Sequence, residues 1–251
     1  MSKSLIFLTI ASLLFINCKD SNKNQDISLI FPVGMVWVEG KSYTKGAKTE
    51  DPYAMMREKP SHEVYVDGFF IDETEVTNNQ FQKFIEETGY VTVAERQIDW
   101  NEMKKNLPVN TPKPHDSLLQ PGSLIFNKDI ESVVNMDNYF QWWKWQIGAS
   151  WKSPTGPGSN IEGKGNYPVV HVAYEDALAY CKWSNRKLPT EAQWESAAQG
   201  NYDKAIFTWG SEVNLLNTNA NTWQGDFPTK NESIDGFEMI APVKSFSPKP
   251  A

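Results

Sequence analysis

The chain of 251 residues is 40% hydrophobic and 22% charged, a composition typical of a globular protein with one large domain or two small ones. Its formal net charge of −7 and its lack of a basic stripe exclude nucleic acid as an expected partner. Fifteen glycines, 15 prolines and 10 tryptophans favour a loop-rich fold over a helical bundle or a doubly wound sheet.

The N-terminus has the pattern of an export signal, predicted over residues 1–17. Its apolar run, residues 5–16, is too short for a comfortable membrane span. Cys18 follows at once, an arrangement that resembles a bacterial lipoprotein signal, although Asn17 departs from the small residue usual before the cysteine. We therefore expect Cys18 to carry lipid and residues 18–30 to form a polar tether to a membrane facing the periplasm or cell surface. Ordinary cleavage nearby, giving a soluble secreted protein, is the alternative.

In the first part of the domain that follows, residues 31–71, the sequence pattern predicts strands. Residues 31–39 place Val33, Met35 and Trp37 at alternating positions and predict a first strand, and residues 41–60 predict a loop. Residues 62–71 predict a hairpin or a paired strand. Residues 96–141 are polar and proline-rich, which indicates irregular structure with a short strand at 123–126.

Two helices are predicted from capping signals. A capping box that begins at Thr77 and a stop at Gly89 predict a helix over residues 78–88. A second capping box at Thr190 predicts a further helix whose Trp194 faces the core.

Residues 166–189, which lead into the second of these helices, contain one histidine, one cysteine and two acids. Residues 168–172 are apolar and predict a buried strand, in which His171 is expected to be a hydrogen-bonded core residue rather than a ligand. Glu175 and Asp176 favour the start of a helix by their charge. Cys181 lies on an apolar stripe of that helix and is predicted to be a small core residue.

After residue 207 no helix is predicted, and asparagine, aspartate and glycine are interleaved. Such a segment cannot bury its backbone without help. A hard cation such as Ca²⁺, which binds carboxylate, amide and carbonyl oxygens, would supply that help. Asn221 and Asp235 are the candidate side-chain ligands. From composition alone, ordinary turn residues are the simpler interpretation.

Collinear segments between residues 34 and 245 resemble the formylglycine-generating enzyme family, also called sulfatase-modifying factors. The most specific segments are RKLPTEAQWE and ANTWQGDFP. The resemblance implies a single α+β domain over residues 31–251, with a C-type-lectin-like, strand-poor, loop-rich fold stabilised by calcium. It also implies an enzyme that uses O₂ and a copper ion held by two cysteines to convert the cysteine of a sulfatase CxPxR motif to Cα-formylglycine.

The resemblance also implies which residues bind metal. Calcium would be bound by the side chains of Asn221 and Asp235 and by the backbone carbonyls of Thr222 and Phe237. Cys181 matches a structural cysteine of the family. The catalytic cysteines of the family follow the segment that corresponds to APVKSF, close to the last residues of this sequence. We therefore assign no catalytic or copper-binding residue, and we expect the chain to be an incomplete copy of a longer enzyme.

Two further functions are weighed against sulfatase activation. One is a non-catalytic lipoprotein with the same fold, acting as a binding or structural module of a cell-envelope assembly. The other is a sulfoxide synthase with the same domain, which we rank last because His62, His115 and His171 lack the spacing of its iron-binding histidines.

Overall fold

The computed structural model describes residues 32–49, 51–202 and 205–248, which belong to a compact unit running from Pro32 to Ala251. In this part of the chain, six short strands form three antiparallel pairs. The pairs are β1 (Met35–Val38) with β4 (Phe69–Asp72), β2 (Lys41–Lys45) with β3 (His62–Val66), and β5 (Gly122–Phe126) with β6 (Trp143–Ile147). The predicted first strand and the predicted strand at 123–126 are both confirmed, the first over a shorter range.

Five α-helices accompany these strands in the described residues. They are α1 (Asn78–Thr88), α2 (Trp100–Met103), α3 (Tyr174–Trp183), α4 (Glu191–Gln199) and α5 (Leu216–Asn219). None of the described helices has the length and apolar character needed to cross a bilayer. The mixed content of helix and strand, with long irregular connections, confirms the predicted α+β class.

Helix α1 has the bounds that its sequence predicts. Gln80 N donates to the Thr77 hydroxyl at 3.3 Å, and Thr77 N donates to Gln80 Oε1 at 2.8 Å, which completes the capping box. At the other end, Gly89 adopts φ 65° and its N–H donates to the Ile85 carbonyl at 2.8 Å. Glycine reaches this left-handed conformation without the cost of a Cβ, so the helix ends there.

The main apolar core lies where α1 packs on α3. Phe81 and Phe84 of α1 are 1% and 2% exposed, and they contact Tyr180 of α3 and Trp151 from the preceding loop. The Phe81 and Trp151 rings meet edge to face with centroids 5.6 Å apart, a favourable arrangement for aromatic pairs. The amphipathic face of α1 is therefore buried against aromatic side chains that lie far away in sequence.

The strand predictions before α1 are partly wrong. Residues 41–45, predicted as loop, form β2. Residues 62–71 do not form a hairpin with each other. The alternative, a paired strand, is confirmed, because β3 pairs with β2 and β4 pairs with β1. Gly68 lies between them and allows close packing, because a Cβ added there would clash with the Trp37 ring.

The predicted buried strand over residues 168–172 is also wrong. His171 has φ 57°, which breaks the extended backbone, and Pro168 makes an isolated bridge to Thr77. The histidine itself behaves as predicted. It is half-buried, and its Nε2 lies 2.7 Å from the Pro154 carbonyl oxygen, which accepts the hydrogen bond.

Helix α4 faces strand β2, which lies about 150 residues earlier in the chain. Tyr43 OH donates to the Ala192 carbonyl at 2.8 Å, and Gln199 Nε2 donates to the Thr44 carbonyl at 3.0 Å. The N–H of Gly46, next to β2, donates to Glu195 at 2.6 Å. Ala192, Glu195 and Gln199 are spaced by three and four residues, so they lie on one side of α4, the side that faces the strand.

Two predictions for the second half of the chain fail. Trp194 was expected to face inward, but it is 61% exposed. Ser196, fully buried, occupies the inner face instead. No helix was expected after residue 207, yet α5 forms one short turn of helix there.

Candidate functional site

The candidate cation site lies in residues 221–239, a segment that we call the cation loop. It follows α5, and Ala220 leaves the helix in an extended conformation. Asp235 is brought back toward Thr222 across 13 residues, because Thr222 N donates to Asp235 Oδ2 at 3.0 Å. The two predicted ligand segments are therefore in direct contact.

The turn after Asp235 brings the third predicted ligand to the same carboxylate. Gly236 has φ 92°, a conformation that other residues rarely adopt, and it lets Phe237 N donate to Asp235 Oδ1 at 2.9 Å. Burial alone raises the pKa of the Asp235 carboxyl, but the backbone hydrogen bonds from Phe237 and Thr222 outweigh it and hold that pKa below its ordinary value. Asp235 is therefore negatively charged at neutral pH.

The Asn221 amide contacts the last residue of the cation loop. Its Nδ2 donates to the Met239 carbonyl at 2.7 Å, which orients the side chain and leaves Oδ1 as the atom it can offer to a cation. Asn221 is exposed, whereas Thr222, Asp235 and Phe237 are half-buried. The structure thus places the four predicted ligands in one loop.

The donor set of the cation loop fits Ca²⁺ by its chemistry. It would consist of a carboxylate, an amide oxygen and two backbone carbonyl oxygens, all hard ligands. Each Asp235 oxygen accepts one hydrogen bond from the backbone and so keeps a further lone pair for a cation. Among the described residues, no group of three or more His, Cys, Asp or Glu side chains could hold a metal ion.

Two residues of the cation loop were missed from the sequence. Gln224 Oε1 accepts a hydrogen bond from Asp235 N at 3.0 Å, and Gln224 Nε2 donates to the Thr222 hydroxyl at 3.1 Å. Asn231 Oδ1 accepts from Gln224 N and from Ser233 N, each at 3.1 Å. The signal that could have found them is the presence of two amide side chains between the predicted ligands, in a segment without helical or strand periodicity.

An aromatic cluster connects the cation loop to strand β5. Trp223 packs on Phe126 of β5 with ring centroids 5.5 Å apart and on Phe227 at 5.2 Å. Phe227 in turn meets the buried Trp142 edge to face at 5.6 Å. The aromatic rings of Trp223 and Phe227 therefore attach the cation loop to the rest of the domain. The candidate ligands lie among its polar residues.

Cys181 of α3 does not fit a copper site. It is a half-buried free thiol. Burial and the nearby Asp72 raise the pKa of that thiol, and Arg186 offsets the increase only in part. A protonated thiol is a poor metal ligand and a poor nucleophile, and Cu(I) selects soft thiolates. No second cysteine lies within the described ranges to complete a pair, and the structural role of Cys181 stays a prediction.

The comparisons with known proteins identify the family. The family model of the sulfatase-modifying factor enzyme 1-like domain matches residues 29–251. The chain belongs to this family. A formylglycine-generating enzyme from Thermomonospora curvata is 37% identical over 216 residues, which cover 86% of this chain and 65% of that protein. The mouse formylglycine-generating enzyme is also 37% identical, over 85% of this chain and 53% of that enzyme.

The comparisons also include a relative that is named as inactive and a solved structure with the same fold. A bovine protein named inactive Cα-formylglycine-generating enzyme 2 is 35% identical over 86% of this chain and 65% of its own length. The structure of PvdO from Pseudomonas aeruginosa aligns with a TM-score of 0.52 at 20% identity, over 86% of this chain and 63% of that one, and shows the same fold. The chain spans between 53% and 65% of the length of the formylglycine-generating enzymes and the inactive relative described here.

The comparisons thus confirm the predicted family and the broad fold. The lectin-like detail and the calcium stabilisation stay predictions. The predicted signal (1–17), tether (18–30) and lipid-carrying Cys18 lie outside the described residues, and the export and membrane attachment that rest on them stay predictions as well.

Proposed function

We propose that this chain is part of a formylglycine-generating enzyme, an oxidoreductase that converts the cysteine of a sulfatase CxPxR motif to Cα-formylglycine with molecular oxygen and copper. The observation that carries the proposal is the 37% identity over 216 residues to the enzyme of that name from Thermomonospora curvata. A sulfatase polypeptide would be the substrate and partner.

Copper would supply the oxygen chemistry, but the residues described here do not hold it. Cys181 is a single, protonated thiol on α3, so no step of the reaction is assigned to it. Instead, these residues would provide the scaffold: the aromatic core around Phe81 and the cation loop.

We also propose that Ca²⁺ binds to Asn221, Asp235 and the carbonyls of Thr222 and Phe237. The hydrogen bonds from Thr222 N and Phe237 N to the Asp235 carboxylate support this proposal, because they gather the ligands around one charge. A cation there would neutralise the carboxylate and link two segments of a loop. Because it binds only the folded protein, it would stabilise the fold by mass action.

The enzymatic proposal is tested with the full-length protein, a synthetic CxPxR peptide, copper and oxygen. We expect mass spectrometry to show conversion of the cysteine to an aldehyde that reacts with an aminooxy probe, and no change in a peptide with serine in its place. Cys181→Ser should retain the activity, because the thiol is structural. A folded, copper-loaded protein that leaves the peptide unchanged would refute the proposal.

The same assay distinguishes the enzyme from the non-catalytic lipoprotein with the same fold. A relative named formylglycine-generating enzyme and a relative named as inactive match this chain at 37% and 35% identity, so membership of the family does not decide the activity. No feature of the described residues favours a binding module of the cell envelope over the enzyme.

Membrane attachment through lipid on Cys18 is proposed from the sequence pattern alone. Metabolic labelling with a fatty acid should mark the wild-type protein and leave Cys18→Ser unlabelled. Labelling of both would contradict the assignment.

A further inference from the structure

Gln224 makes hydrogen bonds to both halves of the cation loop. Its Oε1 accepts from Asp235 N at 3.0 Å, and its Nε2 donates to Thr222 Oγ1 at 3.1 Å. Asp235 and Thr222 are the two residues whose direct contact closes the site, through Thr222 N and Asp235 Oδ2 at 3.0 Å. The amide of Gln224 therefore bridges the same two segments by a second, independent route.

Gln224 is itself held in place by its backbone. Its N–H donates to Asn231 Oδ1 at 3.1 Å, and its carbonyl accepts from Glu232 N at 2.6 Å. Asn231 Nδ2 also donates to the Glu238 carbonyl at 2.9 Å. On the other side, the neighbouring Trp223 is packed against Phe126. The side chain of Gln224 thus starts from a fixed backbone and is half-buried.

A bridge of this kind matters because the ligands come from two segments of a loop. Without it, the direct bond from Thr222 N to Asp235 would hold the two segments alone, and binding a cation would have to order them further, which costs conformational entropy. A neutral amide suits this task. It can donate to one segment and accept from the other, and it adds no charge beside the Asp235 carboxylate.

We propose that Gln224 is a positioning residue for the cation, which it does not contact, and that it sets the affinity of the loop for Ca²⁺ by holding Thr222 and Asp235 in register. The inference rests on the proposed calcium site and goes beyond it, because Gln224 is not among the predicted ligands. It predicts that affinity is lost when the amide is replaced, although all four ligands are retained.

The test compares Gln224→Met with the wild type in the full chain. Methionine has a similar length and keeps the apolar part of the side chain, but it removes both hydrogen bonds. Loss of a residue that orients metal ligands typically weakens binding about 10- to 100-fold, and we expect an increase of that size in the Ca²⁺ dissociation constant. Isothermal titration with CaCl₂ measures it.

A matched control separates positioning from general loss of stability. Gln80→Met makes the same chemical change in the capping box of α1, where Gln80 Oε1 accepts from Thr77 N at 2.8 Å. We expect it to lower the melting temperature and to leave the Ca²⁺ dissociation constant unchanged. If Gln80→Met weakens Ca²⁺ binding as much as Gln224→Met does, the inference is overturned.

A second variant tests the bridge from its other end. Thr222→Val removes the hydroxyl that accepts from Gln224 and keeps the Thr222 carbonyl. We expect a smaller loss of affinity than in Gln224→Met. In the double variant the two losses should combine to less than their product, because both remove one shared hydrogen bond. This variant is nearly isosteric, so it carries the test if Gln224→Met does not fold.

The outcomes distinguish the proposals from one another. Failure of the wild type to bind Ca²⁺ overturns the cation site and the role of Gln224 with it. Binding by the wild type with unchanged affinity in Gln224→Met overturns the role of Gln224 alone. Neither result bears on peptide oxidation, which the mass-spectrometric assay measures separately.

Discussion

The aromatic core between α1 and α3 and the cation loop are stabilised by different interactions. In the core, Phe81, Phe84 and Tyr180 pack with ring centroids 5.4 to 6.0 Å apart and are almost fully buried. In the cation loop, the Asp235 carboxylate and the Gln224 amide satisfy backbone N–H groups that no regular element pairs. The first depends on apolar area removed from water, and the second on polar groups in defined positions.

This difference predicts that the two regions respond differently to calcium. Apolar packing does not depend on a divalent cation, so a change in the core should destabilise the protein equally with and without Ca²⁺. The cation loop gathers oxygen atoms around one negative charge, so a change there should alter the response to Ca²⁺ itself. The following variants test this contrast.

Phe81→Ala should have the largest effect. The side chain is 1% exposed and contacts the rings of Phe84, Trp151 and Tyr180. We expect the free energy of unfolding to fall by about 3–5 kcal/mol, through lost burial and the cavity left behind. Urea unfolding in Ca²⁺ and in chelator should show the same loss. If the loss of unfolding free energy disappears in Ca²⁺ or in chelator, the proposed difference between the core and the cation loop is wrong.

Trp194→Ala is the control for this core substitution. The ring is 61% exposed, and exposed substitutions usually change stability by less than about 0.5 kcal/mol.

Asp235→Ala should have an intermediate effect and a different signature. It leaves the N–H groups of Thr222 and Phe237 without their acceptor, which typically costs about 1–3 kcal/mol. It should also abolish stabilisation by added Ca²⁺, as measured by thermal melting with CaCl₂ and with chelator. Asp226→Ala, an exposed position in the same loop, should keep the Ca²⁺ response. Equal melting of the wild type in both conditions would argue against the site.

Glu95→Gln should have the smallest effect, and one that depends on pH. Its carboxylate accepts from the buried Thr92 hydroxyl at 2.8 Å and pairs with Lys152 at 2.7 Å. Burial raises the pKa of Glu95, but the hydrogen bonds from Lys152 and Thr92 outweigh it, so the pKa lies below its ordinary value of 4.5. As the solution is acidified, the folded state therefore binds fewer protons than the unfolded chain. The stabilisation that the Glu95 carboxylate provides is lost as pH falls through its folded-state pKa.

We expect Glu95→Gln to lower the free energy of unfolding by about 1 kcal/mol or less at neutral pH, because Lys152 is largely exposed. The difference from the wild type should shrink in acid, below the folded-state pKa. Urea unfolding at about pH 7 and about pH 3 measures both values. A difference that stays constant between them would show that the carboxylate charge is not what Glu95 contributes.

The fold could be predicted where the deciding interactions are local. Helix α1 was predicted with correct bounds because the Thr77 cap, the helical spacing of its apolar residues and Gly89 lie within thirteen consecutive positions. The partner of β3 could not be predicted, since strand pairing depends on residues distant in the sequence. The strand expected around His171 failed for another reason: an apolar run predicts burial, but not the positive φ that turns the chain.

The cation site was predictable only in part. Asn221 and Asp235 have the side chains that calcium prefers, so composition suggested them. Thr222 and Phe237 would bind through carbonyls, which every residue has, so only the family resemblance pointed to them. Gln224 was missed because its importance lies in which backbone groups it meets, and the sequence does not show that.

The contact between β2 and α4 has a consequence for the order of folding. Hydrogen bonds from Tyr43 to Ala192 and from Gln199 to Thr44 join positions 149 and 155 residues apart. During synthesis, β2 emerges from the ribosome long before α4 is made. The contacts between β2 and α4 can therefore form only after most of the domain has been synthesised. Such distant contacts slow folding and expose a nascent chain to aggregation. The side of β2 that α4 contacts therefore lacks these hydrogen bonds until residues 191–199 have been made.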